Sequence, residues 1–190
     1  MSSKRIFSLD ILRGMACMLV LVAHMPLNKG IDRSTPVWRF IEQFRLVGWL
    51  GVDLFFVLSG LLISGLLFKE IQASGTIQLK RFWLRRGMKI WPAYYIMFGV
   101  WVATSLLYNW RHGLWPQLKV LASGIVPNLI FIQNYMQELQ WPHTWSIAVE
   151  EHFYLALPIL LVVLVRVGKL KWLPAIVGLI AIAVLAMRIA

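Results

Sequence analysis

Apolar residues run along this chain in long blocks separated by short polar or basic stretches. Five blocks, about residues 8 to 26, 48 to 68, 90 to 108, 146 to 165 and 172 to 190, each approach the ~20 residues a helix needs to cross the hydrocarbon of a bilayer. The pattern predicts an all-α fold, a polytopic transmembrane helix bundle. A sixth block, 118 to 134, is apolar enough to insert. It also carries Ser123, Gly124, Pro127, Asn128, Gln133 and Asn134, which make a poor surface to present to lipid. It reads as a re-entrant or interfacial segment, or as a sixth span.

Charge separates these alternatives. With the N-terminus cytoplasmic and 118 to 134 not crossing, inside segments hold Lys4, Arg5, Lys69, Lys80, Arg81, Arg85, Arg86, Lys89, Arg166, Lys169 and Lys171. Outside segments hold only Lys29, Arg33, Arg39, Arg45, Arg111 and Lys119. If the block crossed, Arg166, Lys169 and Lys171 would move outside and the bias would vanish. The positive-inside rule therefore predicts five spans plus one re-entrant or interfacial segment, in a multi-pass protein of the inner (cytoplasmic) membrane.

The composition agrees, with 59% apolar residues against the 45–50% usual for soluble domains. The formal net charge of +11 sits in the short segments between apolar blocks and serves topology; no nucleic-acid-binding motif accompanies it, so no such partner is expected. Most of the ten Trp fall near predicted span ends and read as interfacial belt residues, among them Trp91, Trp101, Trp110, Trp115, Trp141, Trp145 and Trp172. The single Cys17 lies in an apolar block, where core packing is its expected role. The first block carries Asp10 and Arg13 and lacks a small-residue cleavage site, so it reads as a retained span. The chain is still apolar at Ala190 and reads as part of a longer bundle.

Ionisable groups inside these blocks are costly, and such groups default to a functional reading. Arg13 and His24 stand eleven residues apart, which returns to within roughly 20° of the same helix face after about 16 Å of rise. Asp10, Arg13, Cys17 and His24 share an arc of about 60°. A snorkelling Arg and a capping His explain either residue alone; together on one stripe they favour a polar cavity. In the second block Asp53 lies near the outer end, placed to orient a histidine at its depth. Ser59, Gly60, Ser64 and Gly65 read as a close-packing surface.

The third block begins in Lys80-Arg-Phe-Trp-Leu-Arg-Arg-Gly-Met-Lys89, more cations than topology needs. Phosphates of a cofactor or of anionic lipid headgroups suit such a cluster. The fourth span opens His143-Thr-Trp-Ser-Ile-Ala-Val-Glu150-Glu151-His152-Phe-Tyr154, where Ser146, Glu150 and Tyr154 fall on one stripe. In the five-span arrangement this cluster lies at the outer face, level with His24 and Asp53. A histidine flanked by carboxylates is the minimal apparatus for general-base work on a hydroxyl. His24, His143 and His152 match no metal-ligand spacing, and no metal is expected. P-loop, dinucleotide and soluble hydrolase signatures are absent from the sequence.

Four segments together resemble the acyltransferase 3 family of integral-membrane O-acyltransferases. They are Leu9-Asp-Ile-Leu-Arg-Gly14 followed by His24, Gly51-Val-Asp-Leu-Phe-Phe-Val-Leu-Ser-Gly60, Arg85-Arg-Gly-Met-Lys-Ile-Trp-Pro-Ala-Tyr94, and Trp145-Ser-Ile-Ala-Val-Glu-Glu-His-Phe-Tyr154. The resemblance implies transfer of an acyl group, commonly acetyl from acetyl-CoA, to hydroxyls of envelope glycans. It also implies that residues 1–190 are the N-terminal part of a domain of about ten spans, cut short at its C-terminus. Lys89 stands where the family usually has the second Arg of Arg-x-x-Arg, keeping charge but losing the bidentate fork, and His152 stands where Gln is usual.

On this reading Arg13, His24, Glu150 and Glu151 are the catalytic candidates, and Arg13, Arg85, Arg86 and Lys89 hold acyl-CoA. Asp10, Asp53, Ser59, Ser146 and Tyr154 support them. His24 acts as general base or as a transient acyl carrier, with Glu150 or Glu151 stabilising its imidazolium. A membrane transporter, or a truncated and inactive family member, are the rival readings.

Overall fold

The computed structural model describes residues 7–24, 35–136, 141 and 144–189. Lys4, Arg5, Lys29, Arg33 and His143, named above, lie outside the described residues. The regular elements are helical throughout: α1 (Phe7–Ala23), α2 (Pro36–Val47), α3 (Trp49–Ser74), α4 (Leu79–Arg111), α5 (Trp115–Leu129), α6 (Trp145–Arg166) and α7 (Leu173–Ile189). Short 3-10 turns occupy Gln133–Tyr135 and Leu170–Trp172. Among the described residues four helical stretches are long and apolar enough to cross a membrane: Trp49–Ser74, Leu79–Arg111, Trp145–Arg166 and Leu170–Met187. The all-α polytopic expectation holds at that level. α1, at 17 residues, spans only about 25 Å against a hydrocarbon of ~30 Å.

The chain forms two compact units, Met1–Leu66 and Leu67–Ala190. In the first, α1 meets the start of α3 through small residues. Ala16 is fully buried, and a Cβ on Gly51 would lie 2.7 Å from the Ala16 carbonyl oxygen; one on Gly48 would collide with the Ala23 side chain. These two glycines let the backbones approach, in the manner of membrane helices that pack without a hydrophobic drive. The expected packing surface sits elsewhere on the same helix: Gly60 and Gly65 have open space among the described residues, although Ser59 is buried and the Ser64 hydroxyl donates to the Gly60 carbonyl. Cys17 is exposed within this unit and packs in no core, correcting its expected role.

In the second unit α5 runs back along α4. Gly113 (φ 65°) and Gly168 (φ 67°) stop α4 and α6, and in each case the next residue returns its N–H to the helix, Leu114 to Asn109 at 2.8 Å and Lys169 to Leu164 at 2.8 Å. α5 has 15 residues, about 22 Å, too short to cross. Its C-terminal carbonyls would be orphans in lipid, and tyrosines of α4 take them: Tyr94 donates to Asn128 O and Tyr95 to Leu129 O, both at 2.9 Å. The chain then reverses at Phe131, a non-glycine residue at φ 59°, whose ring packs 4.6 Å from that of Tyr94.

This reversal builds a core of Tyr94, Phe131 and Ala148 with Trp141 and Ile147 against it. Trp141 lies stacked with Trp101 at 5.6 Å and tilted against Phe98 at 5.6 Å. Trp101 and Trp141 are thus packing residues, whereas Trp110, Trp115 and Trp172 remain exposed as belt residues would be. Amphipathic aromatics near a predicted span end serve either purpose, and position alone does not separate them.

Candidate active site

Two groups of predicted residues belong to the first unit. Arg13 is half-buried on α1, with Asp10 exposed one turn before it. His24 follows the last turn of α1, and its Nδ1 lies 2.8 Å from the Val20 carbonyl oxygen. A carbonyl only accepts, so Nδ1 carries the proton and the basic lone pair of the neutral ring resides on Nε2. The helix itself therefore orients His24; the acceptor is Val20 and not Asp53, which is exposed on α3. The ring stands 6.5 Å from that of Trp49.

Ser59 is buried on α3 in the same unit, and the remaining predicted residues lie in the second unit, where α6 packs along the basic end of α4. The Trp91 indole N–H donates to Glu151 Oε2 at 3.3 Å, and the Arg86 guanidinium lies 5.6 Å from the centre of the Tyr154 ring. Gly87 makes the first contact possible, because a Cβ there would lie 2.7 Å from the Trp91 ring. Trp83 reaches further, donating to the Tyr154 backbone oxygen at 3.1 Å. Pro158, four residues after Tyr154, has no N–H to offer that carbonyl. The indole of a neighbouring helix replaces the missing helical donor, so the proline locks α6 onto α4.

These contacts set the acidic cluster beside the first half of α4, away from its Arg111 end. Glu151 and Tyr154 meet Trp91 and Arg86, and Trp91 is twenty residues, roughly 30 Å, from the Arg111 end of α4. The physical cause is the incomplete traverse of α5, which returns the chain to the middle of α4 before α6 begins. The basic motif and the paired acids, separate in the sequence reading, are neighbours. Of the two acids, Glu151 turns to α4. Glu150 and Ser146 are half-buried beside it, and the His152 ring lies 5.6 Å from that of Tyr135.

A cavity of about 590 Å³ opens at the N-terminus of α4, lined by Gln78, Leu79, Lys80, Arg81, Leu84 and Arg85. Arg81, Arg85 and Lys89 recur every four residues on one stripe of the helix. Cations at a helix N-terminus, where backbone N–H groups also point outward, make an anion-binding surface. Lys80 and Arg81 thus join the predicted Arg85, while Arg86 is turned toward Tyr154. Among the described residues no group of three or more His, Cys, Asp or Glu side chains comes together as a metal site would require.

Sequence reasoning passed over Trp83, Trp91, Gln133 and Asn134. Gln133 Nε2 lies 3.3 Å from both the carbonyl and hydroxyl oxygens of Thr144, and Asn134 Nδ2 donates to Trp145 O at 2.8 Å. The spacing of Pro158 from Tyr154 was a readable signal that some outside donor was needed. The tryptophan supplying it was not readable.

The comparisons with known proteins bear on all four motifs at once. Residues 6–190 match the acyltransferase domain of the acyltransferase 3 family. The chain is 33% identical over 185 residues to "Putative O-acetyltransferase SACOL0978" of Staphylococcus aureus (strain COL), covering 90% of this chain and 28% of that protein. It is 32% identical over 187 residues to the peptidoglycan O-acetyltransferase OatA of Listeria monocytogenes, covering 90% of this chain and 26% of the relative. With the O-acetyltransferase OatA of Staphylococcus aureus (strain NCTC 8325 / PS 47) it shares 32% identity over 139 residues, 68% of this chain and 23% of the relative. It therefore spans about a quarter of these relatives' length. No solved structure matches it. With its full span covered from residue 6 onward and its motifs in family order, the chain belongs to the acyltransferase 3 family.

Proposed function

We propose that this chain supplies the donor-binding and proton-transfer parts of a membrane O-acetyltransferase that moves acetyl from acetyl-CoA to hydroxyls of an envelope glycan. The membership just established and the peptidoglycan O-acetylating relative support the reaction class and the acceptor. The observation that carries the reading is the meeting of the basic motif with the paired-acid motif, through Trp91 on Glu151 and Arg86 over Tyr154. Topology alone would need basic residues at a membrane face. It would not need a carboxylate held beside them inside an apolar helix.

On this reading Lys80, Arg81, Arg85 and Lys89 take the phosphates of acyl-CoA at the cytoplasmic face, and Arg13 assists them. The thioester then extends into the bundle past Glu151. His24, with its lone pair on Nε2, accepts the proton of the attacking hydroxyl, or first accepts the acyl group itself; Glu150 and Glu151 serve the donor side, beside the basic end of α4. Asp10, Asp53, Ser59 and Ser146 support the polar path. Five spans with the N-terminus cytoplasmic, in the inner membrane, give the phosphate site access to cytoplasmic CoA.

His24→Ala in the intact protein tests the assignment. Acceptor-dependent release of CoA from acetyl-CoA falls by about 10²-fold or more, the usual worth of a positioned general base. Wild-type turnover in that variant would remove His24 from the chemistry, and CoA release with no need of an acceptor would remove the transfer reaction.

A further inference from the structure

Three buried acceptor oxygens have no hydrogen-bond partner among the described residues: Gln133 Oε1, Asn134 Oδ1 and Glu151 Oε1. Buried polar groups are nearly always paired, and leaving one alone is costly. These three line the first two turns of α6. Gln133 bonds Thr144, Asn134 bonds Trp145, and the neighbouring Tyr135 packs its ring on His152, the residue after Glu151.

The orientation of each oxygen is fixed by chemistry. The nitrogens of Gln133 and Asn134 face backbone carbonyls, which accept and never donate, so each amide oxygen must point the other way. Gln133 is only 2% exposed, so water has little access to it. Glu151 Oε2 is taken by Trp91, leaving Oε1. The result is three unpartnered acceptor oxygens along the first turns of α6 and the turn before it, which call for a ligand segment bearing several donors.

We propose that Gln133, Asn134 and Glu151 bind the pantetheine arm of the acyl donor through its N–H and O–H groups. The proposal rests on the reading of the basic end of α4 as the phosphate site. That arm carries one hydroxyl and two amide N–H groups, a set of donors matching the three oxygens in number. The position also matches. Glu151 meets α4 at Trp91, five residues or about 7–8 Å beyond Arg86, and Trp141, which leads into Thr144 and α6, meets it at Trp101. An extended chain leaving phosphates at Arg85 and Lys89 passes these oxygens in order on its way into the bundle. The acceptor glycan also carries hydroxyls, but the subsite adjoins the cationic end of α4, where a neutral glycan has no reason to dwell.

The test is binding to the intact protein in phospholipid nanodiscs, with CoA and with adenosine 3′,5′-bisphosphate, which keeps phosphates and lacks pantetheine. Gln133→Leu and Asn134→Leu each weaken CoA about five- to tenfold and leave the bisphosphate unchanged, whereas Arg85→Ala weakens both. A CoA analogue whose cysteamine amide N–H is replaced by an ester oxygen keeps the test independent of folding in the variants: it binds the wild-type protein several-fold more weakly than CoA does. Equal binding of the analogue, or variants that raise KM for the glycan while leaving CoA affinity intact, would assign the subsite elsewhere. Failure of the wild-type protein to bind either CoA or the bisphosphate would instead overturn the phosphate-site reading beneath it.

Discussion

Helices α6 and α7 have nearly the same hydropathy, 1.9 and 2.2 over their most apolar stretches, yet 39% of the α6 stretch is buried and none of that of α7. Hydropathy reports the exchange of water for an apolar medium, and lipid and protein satisfy it equally. What separates the two helices is their minority residues. α6 carries Glu150, Glu151, Tyr154 and Pro158, each of which creates a donor or acceptor that lipid does not satisfy. From Leu173 to Met187 α7 carries no polar side chain, and its apolar residues point outward all round. A membrane helix packs where it is imperfect.

Matched deletions break this comparison if it is wrong. Leu161 on α6 is fully buried. Leu161→Ala is expected to cost about 2–5 kcal/mol, the range for a leucine cavity in a close-packed core, read as loss of reversible unfolding stability in micelles. A cost near zero would mean that α6 is no better packed than α7.

A smaller effect isolates the proline lock. Trp83→Phe removes the indole N–H that the Tyr154 carbonyl accepts, at about 1–3 kcal/mol. In a Pro158→Ala background the helix recovers its own N–H for that carbonyl, and the same Trp83→Phe change then costs less than ~0.5 kcal/mol. Additive costs in the double variant would show that the tryptophan acts by shape and not by replacing the proline's missing donor.

The same contrast explains how much was legible beforehand. Blocks 48 to 68, 146 to 165 and 172 to 190 became α3, α6 and α7 because apolar runs of that length have few other solutions. The block 90 to 108 was read too short, since α4 begins at Leu79: Lys80 to Lys89 are good helix formers, and charge ends a membrane span without ending a helix. The place of the acidic cluster along α4 was not legible, because it depends on where α5 stops. That stop is set by the hydroxyls of Tyr94 and Tyr95, thirty-four residues away from the carbonyls they bond. Such a tertiary donor leaves no local pattern. The site residues on α4 were found by their charge, whereas Gln133 and Asn134 were read only as a poor surface to present to lipid, because an orphan oxygen exists only once its surroundings are built.

The smallest effect belongs to α7. Leu185 is 58% exposed, so truncating it removes few contacts with the rest of the protein. Lipid or detergent flows into the space left behind, so the cavity cost that dominates at Leu161 does not arise, and the transfer free energy is nearly the same on both sides of the unfolding equilibrium. Leu185→Ala is expected to change stability by no more than about 0.5 kcal/mol, within the range of a surface substitution. A loss of 2 kcal/mol or more there, measured in the same micelles as Leu161→Ala, would mean that α7 is covered by protein in the working molecule, and that its apolar face is a packing face like that of α6.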